Sequence, residues 1–252
     1  MIVLKSAEEI QAMQKAGKVV AQAHELVREL IRPGVTTLDL DRAVEEFLLR
    51  QNAIPAFKGY QGYPASICAS VNEVVVHGIP SKDVVLQEGS IISVDIGAFV
   101  DGFCGDSAWT YPVGEVGPEV QLLLQTTEEA LFQGIEQARV GNRLSDISHA
   151  VQKCAEERGF SVVRDFVGHG IGRNMHEAPQ IPNFGPPGRG PRLKSGMTLA
   201  VEPMVNMGSY HVQVLEDNWT VVTRDSKWSA HFEHTIAITD DGPVVLTSLQ
   251  ER

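Results

Sequence analysis

Cysteine is scarce in this chain. Only Cys68, Cys104 and Cys154 occur in 252 residues, and an odd number without CxxC spacing excludes a disulfide framework or a zinc knuckle, so a reducing, cytoplasmic setting is expected. Basic residues are the minority as well. The 21 Lys and Arg stand against 32 Asp and Glu, a formal charge of -11, which argues against a broad phosphate-binding face and against nucleic acid as a direct ligand. No run approaches the ~18 uninterrupted apolar residues of a membrane span. Lys5, Glu8 and Glu9 break up the first residues, where a signal peptide would carry its apolar stretch, so no membrane partner is expected. GxSxG, P-loop and HExxH patterns are missing too, which removes the serine-hydrolase elbow, the nucleotide cradle and the helical zinc site. What remains is a chain with 43% hydrophobic residues, enough to bury a full core, and a single domain over 1–252 is expected.

Apolar periodicity supplies the outline. Ile10, Met13, Gly17, Val20, Val27 and Ile31 recur at helical steps over 7–31, ahead of the breaker Pro33-Gly34. Thr36 or Thr37 can cap a second helix with Leu40, Val44, Phe47 and Leu48 on its stripe. Pro118 opens a third helix to about Ala138, and Ser145 can cap a fourth to Gly159. This order repeats. Displaced by 107 positions, Arg32, Gly34, Asp39, Ala43 and Val44 fall on the identical Arg139, Gly141, Asp146, Ala150 and Val151, while Gly89 falls on Gly196, Val94 on Val201 and Asp95 on Glu202. Two similar α/β halves, about 1–110 and 111–252, follow from that register. Each half carries a His-Gly-Ile, at 77–79 and at 169–171.

Residues 90–98 and 102–111 predict two strands joined by a tight turn containing Asp101-Gly102. An even loop puts Asp95 and Asp106 on one face, and with Val100-Asp101 as the loop they are direct partners with Cβ atoms ~5 Å apart. Two carboxylates at that distance repel by roughly 3 kcal/mol at an effective dielectric of 20, so a fixed cation is the natural way to keep both ionised. The second half offers a matching pair, Glu202 in the strand-like run Met197 to Met204 and Glu233 in Ala230 to Ile238. Taken alone, each acid would ordinarily face solvent or pair with a nearby base. Equivalent positions inside apolar strands change that, because an unpaired charge there is strongly disfavoured. A two-fold relation would gather all four acids around two divalent ions, with a bridging hydroxide completing the site and His169, between glycines, as the single nitrogen ligand.

The residues Asn72 to Pro80, Val94 to Gly97 with Gly105-Asp106, Gly168 to Arg173, His176 to Pro179, Val201 to Pro203 and Phe232 to His234 together resemble the bacterial type I methionine aminopeptidases, part of the pita-bread metallopeptidase group. The resemblance covers nearly the whole chain. It implies an α+β pita-bread fold, with pseudo-two-fold α/β halves around a curved, mainly antiparallel sheet. It further implies that Asp95, Asp106, His169, Glu202 and Glu233 hold two divalent ions (Co, Mn, Fe or Zn), and that Glu202 shuttles the proton while His77 and His176 flank the scissile bond. The methionine pocket would be walled by Tyr60, Tyr63, Cys68 and Trp219 together with those two histidines. A monovalent cation, Na or K, would sit on main-chain carbonyls near Asn72, Val74 and Ser229. The expected activity is removal of the N-terminal methionine from nascent chains and peptides by a monomer in transient contact with the ribosome. His211, His231 and His234 have no counterpart in that pattern and are assigned structural roles. Phe57 and Met175 depart from it, where a cysteine and an aromatic are usual.

Two rivals share the fold. A proline-specific peptidase would carry the same five ligands but usually adds an N-terminal domain, for which the early start of the first helix leaves no room. A metal-free pita-bread binding module would have lost ligands, and all five are present.

Overall fold

The computed structural model describes residues 1–249. Helix α1 (Ala7–Leu30) starts where Ser6 Oγ accepts the Glu9 N–H and the Glu9 carboxylate accepts the Ser6 N–H, a reciprocal cap that satisfies two otherwise free donors. Helix α2 (Thr37–Arg50) opens on the same device, made by Thr36 and Asp39. Helix α3 (Pro118–Glu136) has proline at its first position, where no amide hydrogen is needed. Helix α4 (Leu144–Glu156) corrects one expectation. Ser145 lies inside its first turn rather than capping it, and its hydroxyl accepts the Arg189 N–H at 2.7 Å. Asp146 does the capping instead, accepting the Arg143 N–H at 2.7 Å.

Seven strands frame the centre: β1 (Ile67–Val71), β2 (Ile91–Val100), β3 (Phe103–Pro112), β4 (Gly168–Gly170), β5 (Glu177–Ile181), β6 (Thr198–Val201) and β7 (His234–Thr239). Strand β2 is flanked by antiparallel β1 and β3, and β6 by antiparallel β4 and β7. Helices α1 and α2 cover the first set through Val20, Val27, Leu40, Val44 and Leu48 against Ile92, Val94 and Ile96. Helices α3 and α4 cover the second through Leu131, Ile147 and Val151 against Leu199, Val201 and Ile236.

The duplication reaches individual hydrogen bonds. Gly34 N–H meets Leu86 O at 2.9 Å and Gly141 N–H meets Leu193 O at 3.2 Å; Leu86 and Leu193 return N–H bonds of 2.8 Å to Val35 and Asn142. The isolated bridges Thr36 to Val85 and Arg143 to Arg192 keep the same 107-residue displacement. Gly34 and Gly141 hold φ of 90° and 94° there, a left-handed conformation that a side chain would strain.

Hydroxyl groups sew the halves together. Thr235 Oγ1 accepts the Asp106 N–H at 3.0 Å and donates to Asp106 O at 2.8 Å, Ser107 Oγ donates to Glu233 O at 2.7 Å, and Thr110 Oγ1 donates to His231 O at 2.8 Å. One backbone bond, Glu233 N–H to Ala108 O at 2.8 Å, completes the seam. Side chains thus satisfy buried peptide groups where a regular ladder is interrupted. No helix among the described residues is long and apolar enough to cross a membrane.

Candidate active site

The first pair of acids comes from the β2–β3 hairpin. Its two-residue loop is Asp101-Gly102, with φ of 51° and 80°, the double left-handed turn that matches strand twist. That loop shifts the register by two from the expected one. Asp95 stands opposite Ala108, and Asp106 opposite Gly97, so the acids share a face as diagonal neighbours rather than direct partners. The diagonal separates their backbones while leaving the carboxylates within reach of one point. Gly97 is required beside Asp106, because a Cβ there would meet the Phe57 ring at 2.7 Å.

The second pair lies at strand ends, not within continuous strands. Glu202 directly follows β6, where Pro203 removes the next amide hydrogen and stops the ladder. Glu233 falls in the gap between the short strand Ser229–His231 and β7. His169 sits in β4 between two glycines whose Cβ atoms would lie 2.4 Å from Ala200 O and 2.2 Å from Ala178 O, so only glycine lets β4 fit between β5 and β6. His169 Nδ1 lies 3.0 Å from Gly170 O, which fixes the proton on Nδ1 and leaves the Nε2 lone pair free. That Nε2 is 3.5 Å from Glu202 Oε1 and 4.0 Å from Asp106 Oδ2.

All five residues line one cavity of about 190 Å³. A larger cleft of about 410 Å³ opens between α1 and α3 beside His24 and Trp109, but none of the five reaches it; among the described residues, buried carboxylate oxygens without partners collect in the smaller one. There, Asp95 Oδ1, Asp106 Oδ1 and Glu233 Oε1 are buried without a hydrogen-bond partner. The ion-pair partners within 4.0 Å of these acids, among the described residues, are histidines alone. Burial raises the Asp106 carboxyl to about 7, and it pushes Asp95, Glu202 and Glu233 well above the usual range, with neighbouring carboxylate charge adding to the rise. Burial lowers His169 to about 4, so its ring is neutral at physiological pH and able to donate a lone pair. Ligand atoms of Asp106, His169 and Glu233 fall within 4.8 Å of one another. Orphaned carboxylate oxygens, no basic partner and a free imidazole nitrogen together fit an oxygen-rich divalent-cation centre.

The same cavity is walled by Tyr60, Tyr63, Cys68, His77, His176 and Trp219, together with Phe57, Gln61 and Met175. Trp219 and Tyr63 meet edge to face at 5.0 Å, and His77 stands against Trp219 at 6.1 Å and Phe166 at 5.6 Å. Tyr63 is anchored by its hydroxyl near the carbonyls of Ile67 and Gly78, at 3.0 and 3.1 Å. His77 holds a left-handed φ of 59°. Burial lowers it to about 4, with the charge of His176 adding to the effect. His176 Nδ1 lies 2.9 Å from the Tyr60 hydroxyl, and its ring is 4.3 Å from that of His169; burial lowers its pKa as well. Phe57 and Met175 are both buried in this wall.

Away from the acids, Asn72 O accepts the Ser229 N–H at 2.9 Å, and Val74 lies in a short strand paired with Val221 to Thr223. His211 stacks on Tyr210, and His234 binds Thr247 Oγ1 through Nδ1; neither lines the cavity. His231, assigned a structural role, lies closer to the acids than the other two. It is 2% exposed, its Nε2 has no hydrogen-bond partner, and that atom is 3.7 Å from Glu202 Oε2. Its approach to Glu202 leaves no trace in the sequence, since the two residues come from segments that meet only in the fold.

Comparison with known proteins shows what the chain as a whole is similar to. The model of metallopeptidase family M24 matches residues 11–240. Methionine aminopeptidase 1 of Bacillus subtilis is 56% identical over 247 residues, covering 98% of this chain and 99% of the relative. The methionine aminopeptidase of Clostridium acetobutylicum is 54% identical over the same shares. The crystal structure of methionine aminopeptidase from Thermotoga maritima superposes with a TM-score of 0.97 at 51% identity, covering 98% of this chain and 100% of that one. A prolidase from Pyrococcus furiosus shares the fold at a TM-score of 0.81 and 22% identity, with 99% of this chain matching 66% of the prolidase.

Proposed function

The chain belongs to metallopeptidase family M24, and from that premise we propose which of its residues perform the reaction. It is a metal-dependent exopeptidase that removes N-terminal methionine, with the pita-bread fold. In our reading Asp95, Asp106, His169, Glu202 and Glu233 hold two divalent ions, drawn from Mn, Fe, Co and Zn. The observation that carries this is the set of buried carboxylate oxygens left without partners around one cavity. Bound there, divalent cations offset the clustered charge, polarise a carbonyl and make water more acidic.

The remaining steps are assigned to the chain itself. Glu202, placed past the end of β6 between His169 and His231, takes a proton from the attacking water and returns it to the leaving amine. His77 and His176 are neutral by burial and act as N–H donors, one steadying the developing oxyanion and one orienting the leaving nitrogen. The Tyr60 hydroxyl fixes the His176 ring. Tyr63, Cys68 and Trp219 form an apolar wall that suits a thioether. A monovalent cation, Na or K, is assigned to the carbonyls of Asn72, Val74 and Ser229; the Ser229 N–H bond to Asn72 O at 2.9 Å, which brings those two segments together, supports that placement. The substrate is the exposed N-terminus of a peptide or nascent chain, and the three free cysteines support work in a reducing cytoplasm.

Release of free methionine from Met-Ala-Ser and of alanine from Ala-Pro-Ala tests this reading, with and without a chelator. Methionine release lost on chelation and restored by Mn is expected. Cleavage confined to the proline peptide would overturn it.

A further inference from the structure

Lys5 lies ahead of α1 and outside every element of the cavity, yet its side chain is only 4% exposed. A buried ammonium is costly unless fully partnered, and Lys5 Nζ has one carboxylate, Glu177 Oε2 at 2.5 Å, plus Val3 O at 3.4 Å. Glu177 is the residue after His176. Its other oxygen accepts the Asn174 N–H at 3.2 Å, and Gly172 N–H closes onto Asn174 O at 3.0 Å. Gly172 is packed so closely on the pair that a Cβ would meet Lys5 Cε at 2.5 Å and Glu177 Oε1 at 2.7 Å.

The loop 172–177 is therefore wrapped around a single ammonium. At its start Cys104 N–H binds Gly172 O at 2.8 Å, and Arg173 binds Glu9 at 3.2 Å, so α1 and β3 hold the outer side. On the inner side Met175 and His176 face the cavity. The Lys5 backbone is itself pinned, its N–H donating to Gly196 O at 2.7 Å, just before β6. A chain of bonds thus runs from the segment preceding Glu202 through Lys5 and Glu177 to His176. An apolar pair of equal volume would serve stability as well or better. What it would not supply is a fixed direction for the loop, because the ammonium ties Glu177 to a point outside the loop, whereas Asn174 lies within it.

We propose that Lys5 is a positioning residue for the reaction, acting through Glu177 to set His176 against the substrate. This rests on the assignment of His176 given above. The test compares Lys5→Met, His176→Ala and the double variant in the intact, Mn-loaded enzyme, reading kcat and KM on Met-Ala-Ser. Lys5→Met should lower kcat about ten- to a hundredfold with KM nearly unchanged, as a small misplacement of a reacting group does. In the His176→Ala background the same substitution should cost less than about twofold, because residues acting as one unit are not additive. Equal losses in both backgrounds would overturn the proposal, as would no loss in either. If His176→Ala itself leaves kcat intact, the assignment of His176 fails instead. Should Lys5→Met fail to fold, Lys5→Met/Glu177→Leu removes the stranded carboxylate; it should fold and still show the lowered kcat, and wild-type kcat in that variant would refute the idea. In the metal-free protein, His176 imidazole resonances should shift in Lys5→Met, and unchanged resonances would count against it.

Discussion

Stripped of divalent metal, the protein should lose stability as pH rises above about 6.5, the reverse of ordinary acid denaturation. Asp106 is the clearest source. Burial lifts it from 3.8 to about 7, so between those values the folded chain keeps a proton that the unfolded chain has released. Its contribution is present below the lower value and lost as pH rises through the upper one. Asp95, Glu202 and Glu233 shift the same way. The histidines pull oppositely: His24, His77 and His169 are lowered by burial from 6.5 to about 4 and His231 to about 3, so their contributions are lost as pH falls below 6.5. Above that point the carboxyls act alone. Each proton retained by the folded state then costs about 1.4 kcal/mol per pH unit, or roughly 3–6 °C in melting midpoint for a chain of this size. Thermal melts between about pH 6.5 and 8, in chelator and in saturating Mn, measure it. The midpoint should fall in chelator and hold or rise in Mn, since the ions displace those protons. A midpoint that rises in chelator across that window, or falls equally in both, would refute the reasoning.

Two further outcomes follow from the proposed roles. Glu202→Gln should abolish turnover while leaving binding of a non-cleaved methionyl peptide nearly intact by calorimetry, because the amide keeps the shape and loses the base; an active variant would remove Glu202 from its role. Thr235→Val should cost about 2–4 kcal/mol in denaturant unfolding, because it strands the buried Asp106 N–H and deletes the bond to Asp106 O. It should also weaken Mn binding, and a change within about 0.5 kcal/mol would show that the seam does not depend on that hydroxyl.

Elements with period and punctuation were legible in the sequence. Pro33-Gly34, a threonine cap at 36 or 37 (Thr36 in the fold) and Pro118 mark helix limits because each acts within a few residues, and the 107-residue register survives because both halves need the same turn, down to the bridges at Thr36 and Arg143. The shared face of Asp95 and Asp106 was legible through parity alone, since either two-residue loop gives it. Their register was not. It depends on which residues tolerate positive φ, and Asp101-Gly102 does so better than Val100-Asp101. Ser145 was misread because a serine near a helix start is a cap by type, and only its partner Arg189, 44 residues away, shows its use. The contact between His231 and Glu202 and the burial of Lys5 were invisible for a similar reason. Both are decided by chain segments distant in sequence, and one sequence carries no record of which pairs touch.

The two halves also differ where they meet the cavity, and the difference bears on which acid moves protons. Asp95 is in the middle of β2, paired on both sides with Cys68 and Ala108, so its short side chain leaves a backbone fixed by two ladders. Glu202 occupies the equivalent position after 107 residues but lies past the end of β6, ahead of a proline, its carbonyl held by the Asn183 side chain at 3.0 Å. Its side chain is one methylene longer and starts from backbone outside the ladder. A ligand that only balances charge gains from rigidity, whereas a group that takes a proton from one atom and delivers it to another needs some arc of motion. Its Oε2 already points toward His231 and its Oε1 toward His169. The duplication therefore supplies one acid held inside two ladders and one placed past a strand end, and the proposed proton transfer is assigned to the second.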